Sequence, residues 1–272
     1  MESTMTLKLP WEQGNLLADL EPPEPPLPTI DELIAAGALF AINTSGGKDS
    51  QAMTILLHKR VPRDQILMVY ARLPGVVWEG VEEHIHATTF GLPVQICQAK
   101  HGLLDIVARR GMFPSPAQRW CTSDLKRSPI EKLLRATGRK LIVNCTGLRA
   151  EESPNRAKKP SFQRSERNSK AGRDWYEWLP IQDMTEAEVF ASIAAAGQKP
   201  HWAYAAGMKR LSCILCIFSS DSDLRLGATL NPAVYQEYVA AEKATGHVMM
   251  MPTKKLGRRT LPEITGIPAE VA

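Results

Sequence analysis

No stretch of this 272-residue chain approaches the roughly 18 to 20 consecutive apolar residues that a membrane-spanning helix needs. The N-terminus also lacks the basic start and apolar middle of a secretion signal. A cytoplasmic location, with no membrane partner, is the resulting expectation. No internal repeat is visible. Cysteines are few and odd in number: Cys97, Cys121, Cys145, Cys213 and Cys216. In an intracellular setting such a set argues against a disulfide framework and for metal ligation or catalysis at the spaced members. Net charge is weak, +4 over the chain, yet the segment from Arg149 to Arg173 holds eight Lys/Arg against three Glu.

What is present is ordinary for a soluble globular protein, with 44% hydrophobic and 23% charged residues. The length suits one large α/β domain, or a core with a small appendage. Residues 1–28 contain "EPPEPPLP" and read as a proline-rich tail of extended polyproline geometry. Thr29 and Glu32 form a capping box ahead of a short helix. Apolar runs suited to buried parallel strands follow at 39–42, 66–70, 94–97 and 141–145. Helical patterns at 49–59, 77–90, 102–110 and 128–137 separate them, the last opened by Ser128-Pro129 with Glu131. This alternation predicts an α/β fold with a doubly wound, mostly parallel sheet over residues 29–200. Residues 201–272 read as a helical C-terminal region packed on that core, including helices from about Ser219 and from Asn231-Pro232.

The first strand leaves through Ser45-Gly46-Gly47-Lys48-Asp49-Ser50 directly into a helix. Glycines there let backbone N–H groups converge on an anion, and the helix N-terminus adds partial positive charge. Lys48 supplies a full charge, Ser45 and Ser50 supply hydroxyls, and Asp49 is suited to hold Mg2+ on bound phosphates. The spacing is not that of a Walker A loop.

The S-G-G-x-D-S pattern resembles the PP-loop of the ATP pyrophosphatase superfamily, whose adenine nucleotide alpha hydrolase-like fold holds the outer phosphates of ATP while pyrophosphate leaves. Three further segments resemble its PAPS reductase-like branch: "RWCTSDLKRSPIEKLL" (119–134), "GLRAEESPNR" (147–156) and "LPIQDMTEAEVFASI" (179–193). The resemblance, covering about residues 38–225, implies that Gly147, Arg149, Glu152 and Arg156 join residues 45–50 in binding nucleotide. It implies phosphate contact by Lys126, orientation of Arg149 by Glu152, and roles for Lys48, Asp49, Lys126 and Arg149 on the reacting phosphates. Sulfonucleotide reductases of the branch carry a C-terminal E-C-G-[IL]-H cysteine, whereas here no cysteine follows Cys216 and the loop is intact. Sulfate adenylyltransferase needs no cysteine cluster. The remaining relatives, DNA phosphorothioation enzymes and tRNA thiolases, adenylate an acceptor for sulfur insertion and pair the loop with an iron–sulfur cluster.

Cys213 and Cys216 form a C-x-x-C that can direct two thiolates at one site, with Cys121 as the third. Lys209 and Arg210 are expected to lower their pKa values. Three cysteines would leave one iron of a [4Fe–4S] cluster open; a zinc site, the alternative, would need a fourth ligand. Cys97 and Cys145 end strands and read as core. His84 and His86 are a poor metal pair, and His247 reads as structural. The basic segment 149–173, interleaved with aromatics, suits a nucleic-acid strand, the nucleotide phosphates, or plain solvation. The expected partners are a nucleic-acid substrate and a sulfur donor such as a cysteine desulfurase, with a homodimer left open. The competing readings are a sulfonucleotide reductase or adenylyltransferase, and a nucleotide- or nucleic-acid-binding module with structural zinc.

Overall fold

Strand β1 (Leu39–Thr44) begins with four fully buried residues, because apolar side chains on both of its faces meet packed layers. The computed structural model describes residues 26–269. All but the last three residues of the expected proline-rich tail lie outside that range. The remaining strands are β2 (Ile66–Arg72), β3 (Val94–Gln98), β4 (Leu141–Thr146), β5 (Phe162–Arg164) and β6 (Asp174–Trp178). They form one sheet in the order β3-β2-β1-β4-β6-β5, parallel except for the antiparallel edge strand β5. The chain therefore builds outward from β1 to one side, then returns to the other through β4. The crevice at the carboxyl ends of β1 and β4 is the topological switch point, where doubly wound sheets bind ligands.

Helix α1 (Ile30–Ala35) starts with the expected Thr29/Glu32 capping box. Helix α2 (Lys48–Arg60) covers the Phe40/Ile42 face of the sheet through Met53 and Leu57. Helices α3 (Val81–Thr88) and α4 (Leu103–Arg110) follow β2 and β3. Next, α5 (Trp120–Thr122) runs through a π turn, Ser123–Arg127, into α6 (Ser128–Ala136), whose Leu134 packs on the Leu39/Ala41 face. Ser128-Pro129 does not open a separate helix, contrary to expectation. Proline cannot donate to the preceding turn, and the wide π turn before it accommodates the missing bond. Single π turns of this kind often mark functional sites, and this one carries Lys126 next to Cys121.

Short helices α7 (Pro154–Ala157) and α9 (Trp202–Ala205) flank α8 (Glu186–Ala195), which starts at a Thr185/Glu188 capping box and packs on α2. Beyond them lie α10 (Asp221–Leu230), α11 (Pro232–Thr245) and α12 (Leu261–Thr265). This C-terminal region shares one core with residues 70–125, through Trp78, Val107, Trp120, Leu224 and Tyr235. It packs against α3, α4 and their loops more than on the sheet face itself.

Helix α10 crosses the C-x-x-C segment at its glycine. A Cβ at Gly227 would lie 2.6 Å from the Ile214 carbonyl oxygen, a backbone atom with no room to retreat. Gly227→Ala is therefore expected to cost about 1–3 kcal/mol by overpacking, and several degrees of Tm in thermal denaturation. An unchanged Tm would show that the two segments do not hold each other.

Candidate active site

Between β1 and α2 the backbone turns at Gly46, whose φ of +73° disfavours other residues, and a Cβ there would meet Val81 Cγ1 at 3.1 Å. The loop amides are not consumed by carbonyls. Ser45 N donates to Ser50 Oγ (3.2 Å), Gly46 N to Thr44 Oγ1 (3.3 Å) and Lys48 N to Tyr204 Oη (3.0 Å). The amides of Gly47, Asp49 and Ser50 find no acceptor among the described residues; the first amide of α2 bonded to a main-chain carbonyl is that of Gln51. Such a ring of unsatisfied or weakly satisfied donors at a helix N-terminus suits an anion.

Lys48 is placed differently from expectation. Its ammonium is only 2% exposed, 3.1 Å from Glu186, 3.7 Å from Asp49 and 3.4 Å from the Lys209 carbonyl oxygen, over the rings of Phe190 and Tyr204. Its charge is balanced by Glu186 and Asp49. Arg149 is likewise buried, its Nε 2.6 Å from Asp49 Oδ1 and its NH1 on Glu151. Glu151 in turn accepts the Glu186 amide at 2.8 Å. Lys48, Asp49, Arg149, Glu151 and Glu186 thus form one charge network beside the 45–50 loop, with the two cations buried and Glu151 and Glu186 reaching the surface.

Glu152 does hydrogen-bond Arg149, accepting its main-chain amide at 3.1 Å, while Glu151 takes the guanidinium. Glu152 otherwise pairs with Arg156 and Arg210, because residues 150–152 form a tight 3-10 turn that swings adjacent carboxylates apart. Gly147 explains its own identity. A Cβ there would sit 3.1 Å from Asp49 C and O and 3.2 Å from Ser50 N, against the backbone that opens α2. Gly147→Ala is expected to push that turn out of shape and lower Tm by several degrees in thermal denaturation, through overpacking of about 1–3 kcal/mol. A wild-type Tm would contradict this packing.

The three cysteines separated in sequence do come together. Cys121, Cys213 and Cys216 line one cavity of ≈ 300 Å³, counting its open mouth, with Leu103, Phe113, Tyr238 and Met249 among its other walls. Among the described residues no three His, Cys, Asp or Glu side chains are arranged to hold a single metal ion. The cavity wall offers three thiols but no histidine or carboxylate as a fourth zinc ligand. Burial pushes the Cys213 thiol up to about 11 and raises Cys121, and Lys126 pulls against both. Contrary to expectation, neither Lys209 nor Arg210 is among the charges acting on Cys213 or Cys121, and Arg210 turns to Glu152. Lys126, one turn after Cys121 in the bulged helix, supplies the positive charge. Two buried tyrosine hydroxyls, Tyr70 and Tyr238, have no hydrogen-bond partner. Tyr238 lines the cavity, and Tyr70 is near enough to Cys213 to feel its charge.

Cys145 is fully buried in the sheet core, as expected; Cys97 is only half-buried, because β3 is an edge strand with several exposed residues, and its thiol bonds the Tyr70 carbonyl at 3.7 Å. His84 stacks edge-on against His201, and His247 closes a turn on the Thr245 carbonyl. In the basic segment, Arg149, Arg156, Arg164 and Arg167 are each tied to carboxylates. Lys158, Lys159 and Lys170 are exposed.

Tyr204, Glu186 and Glu151 were not singled out from the sequence. Tyr204 Oη accepts from Lys48 N and from Leu211 N (3.2 Å), and so ties the phosphate loop to the segment that leads into Cys213.

Comparison with known proteins gives a consistent placement. Residues 40–218 match the family model described as "Phosphoadenosine phosphosulfate reductase domain". An uncharacterized 37.8 kDa protein of Escherichia phage 186 is 32% identical over 124 residues, 44% of this chain and 36% of that protein. An uncharacterized protein of Methanocaldococcus jannaschii is 24% identical over 212 residues, 76% of this chain and 49% of that one. The chain thus matches about a third to a half of the length of these relatives. Among solved structures, phosphoadenylyl-sulfate reductase of Candida auris aligns with a TM-score of 0.48 and 13% identity, over 67% of this chain and 86% of that one. FMN adenylyltransferase of Candida glabrata aligns with a TM-score of 0.46 and 14% identity, over 65% and 55%. No described helix is long and apolar enough to cross a membrane.

Proposed function

The chain belongs to the phosphoadenosine phosphosulfate reductase domain family, and from that membership we propose that it is a PP-loop ATP pyrophosphatase that adenylates an acceptor for sulfur transfer. One observation carries this reading: residues 209–211 serve both sites. Their carbonyl and amide hold Lys48 and Tyr204 at the phosphate loop, and two residues later the same segment delivers Cys213 to the three-cysteine cavity. A nucleotide-cleaving loop and a sulfur-rich pocket built on one short strap suit an enzyme that couples activation to sulfur delivery.

In this mechanism the amides of residues 45–50 bind the β- and γ-phosphates of ATP. An acceptor oxygen attacks the α-phosphorus, the bond to the bridging oxygen breaks, and pyrophosphate leaves; a sulfur nucleophile then displaces AMP. Asp49 would hold Mg2+, which supplies charge neutralisation on the departing phosphates. Gly147, Arg149, Glu152 and Arg156 shape the adjoining wall, and Lys126 lies toward the cysteines. The cavity suits an iron–sulfur group better than a single ion. Its three soft ligands sit in an apolar wall beside unpartnered hydroxyls, and Cys121, Cys213 and Cys216 would hold a [4Fe–4S] cluster. When bound, that cluster would offer one iron without a protein ligand, a place for sulfide.

The acceptor proposed is nucleic acid, supported by exposed Lys158, Lys159 and Lys170 on the segment beside the nucleotide wall. A cysteine desulfurase would supply the sulfur, in the cytoplasm. The test is transfer of 35S from cysteine and a desulfurase, under anaerobic conditions, to DNA or tRNA. Label entering the nucleic acid only when ATP is present is expected. Sulfite formed from adenylyl sulfates with a dithiol as reductant, which is oxidised to its disulfide, and without ATP would instead favour sulfonucleotide reduction.

A further inference from the structure

Helix α11 carries two almost fully buried tyrosines three positions apart. Tyr235 is fully partnered: its Oη lies 3.1 Å from Thr265 Oγ1 and donates to the Ile267 carbonyl at 2.7 Å. Tyr238 is 1% exposed and its ring stacks on Phe113 at 6.1 Å, yet its hydroxyl has no partner. Tyr238 is part of the wall of the cysteine cavity, and its hydroxyl is near enough to Cys213, Cys216 and Cys121 to feel their charges. Phenylalanine would fill the same space without stranding a donor away from water, which is costly in any buried setting. The side chains sharing the wall include Leu103, Phe113, Leu215, Ile217 and Met249, none with an oxygen or nitrogen acceptor. Sulfur is the acceptor this cavity provides.

We propose that Tyr238 is a positioning residue whose hydroxyl donates to a sulfur of the group held by Cys121, Cys213 and Cys216, and so raises that group's reduction potential. The inference rests on the iron–sulfur reading above. Hydrogen bonds to cluster sulfurs stabilise the more negative, reduced state, so removing one lowers the potential.

The experiment compares wild type, Y238F and Y235F, each reconstituted anaerobically with iron and sulfide. Iron and acid-labile sulfide are assayed first, and the reduced fraction is then read by EPR in redox buffers. Y238F is expected to hold the same iron and sulfide but to be about tenfold less reduced at a fixed potential, equivalent to ~59 mV for one electron. Y235F, which loses a hydroxyl already satisfied by protein, should titrate like wild type. Before reconstitution, Y238F should melt no lower than wild type, since the lost hydroxyl has no partner there. Should Y238F fail to load, proton ENDOR of the reduced wild type before and after exchange into D2O replaces it. A coupled exchangeable proton is expected there. A Y238F potential equal to wild type with the cluster intact, or no such proton, would overturn the role of Tyr238 and leave the cluster standing. Wild type that takes up neither iron nor labile sulfide would overturn both.

Discussion

Asp49→Asn is expected to lower pyrophosphate release from ATP by about two to three orders of magnitude, the scale of losing one preorganised electrostatic group. Asp49 sits at the first turn of α2, with Oδ1 on Arg149 Nε at 2.6 Å and Oδ2 3.7 Å from the Lys48 ammonium. Asparagine keeps an oxygen to accept from Arg149 and nearly the same shape. What it removes is the negative charge proposed to hold Mg2+ on the phosphates and to balance two buried cations. Glu151 and Glu186 still neutralise Arg149 and Lys48, so the fold should survive. Iron and sulfide content should also be unchanged, because Asp49 is not part of the cysteine cavity. Full pyrophosphate release by Asp49→Asn would remove this carboxylate from the chemistry.

Cys213→Ala gives the reciprocal result: bound iron and labile sulfide fall to background, sulfur transfer stops, and AMP formation from ATP continues. Cys213 stands on the strap between the phosphate loop and the cavity, and its burial holds the thiol protonated until a metal displaces the proton. Two cysteines cannot hold what three hold, whereas alanine in an apolar wall changes packing little. Cys97→Ala on strand β3, whose thiol meets the Tyr70 carbonyl of β2, is the control and should load normally. Loss of AMP formation together with iron would mean that the two sites are one structural unit, as the shared Tyr204 contacts make conceivable, and would contradict separate activation and sulfur sites. Undiminished iron in Cys213→Ala would remove the cysteine from the ligand set.

Strands β1 to β4, the helices between them and the 45–50 loop were legible because their signals are local. Apolar runs bounded by glycine mark β1 and β4, and capping boxes at Thr29 and Thr185 mark the starts of α1 and α8. The convergence of Cys121 with the C-x-x-C was legible only through the resemblance, since spacing alone does not relate residues 92 positions apart. The three-residue strand β5 was missed as an element, because so short a run carries no readable alternation; its pairing with β6 across the intervening loop defines it. Tyr204, Glu186 and Glu151 left no trace in the sequence. Tyr204 meets Lys48 across 156 positions, and no periodicity or cap encodes such a pairing. The choice of Glu151 over Glu152 for the Arg149 guanidinium depends on the exit direction of one 3-10 turn. Gly147 was picked out by motif, and its reason, backbone against backbone, exists only in three dimensions.

The central claim is that the 45–50 turn takes the outer two phosphates, so that cleavage falls at the α-phosphorus. It is tested most directly by incubating the reconstituted protein with ATP labelled at the α-phosphate, Mg2+ and nucleic acid, and resolving the products. The label should appear in AMP, or in an adenylated acceptor, with one pyrophosphate released for each. Label in ADP, with inorganic phosphate as the co-product, would contradict it.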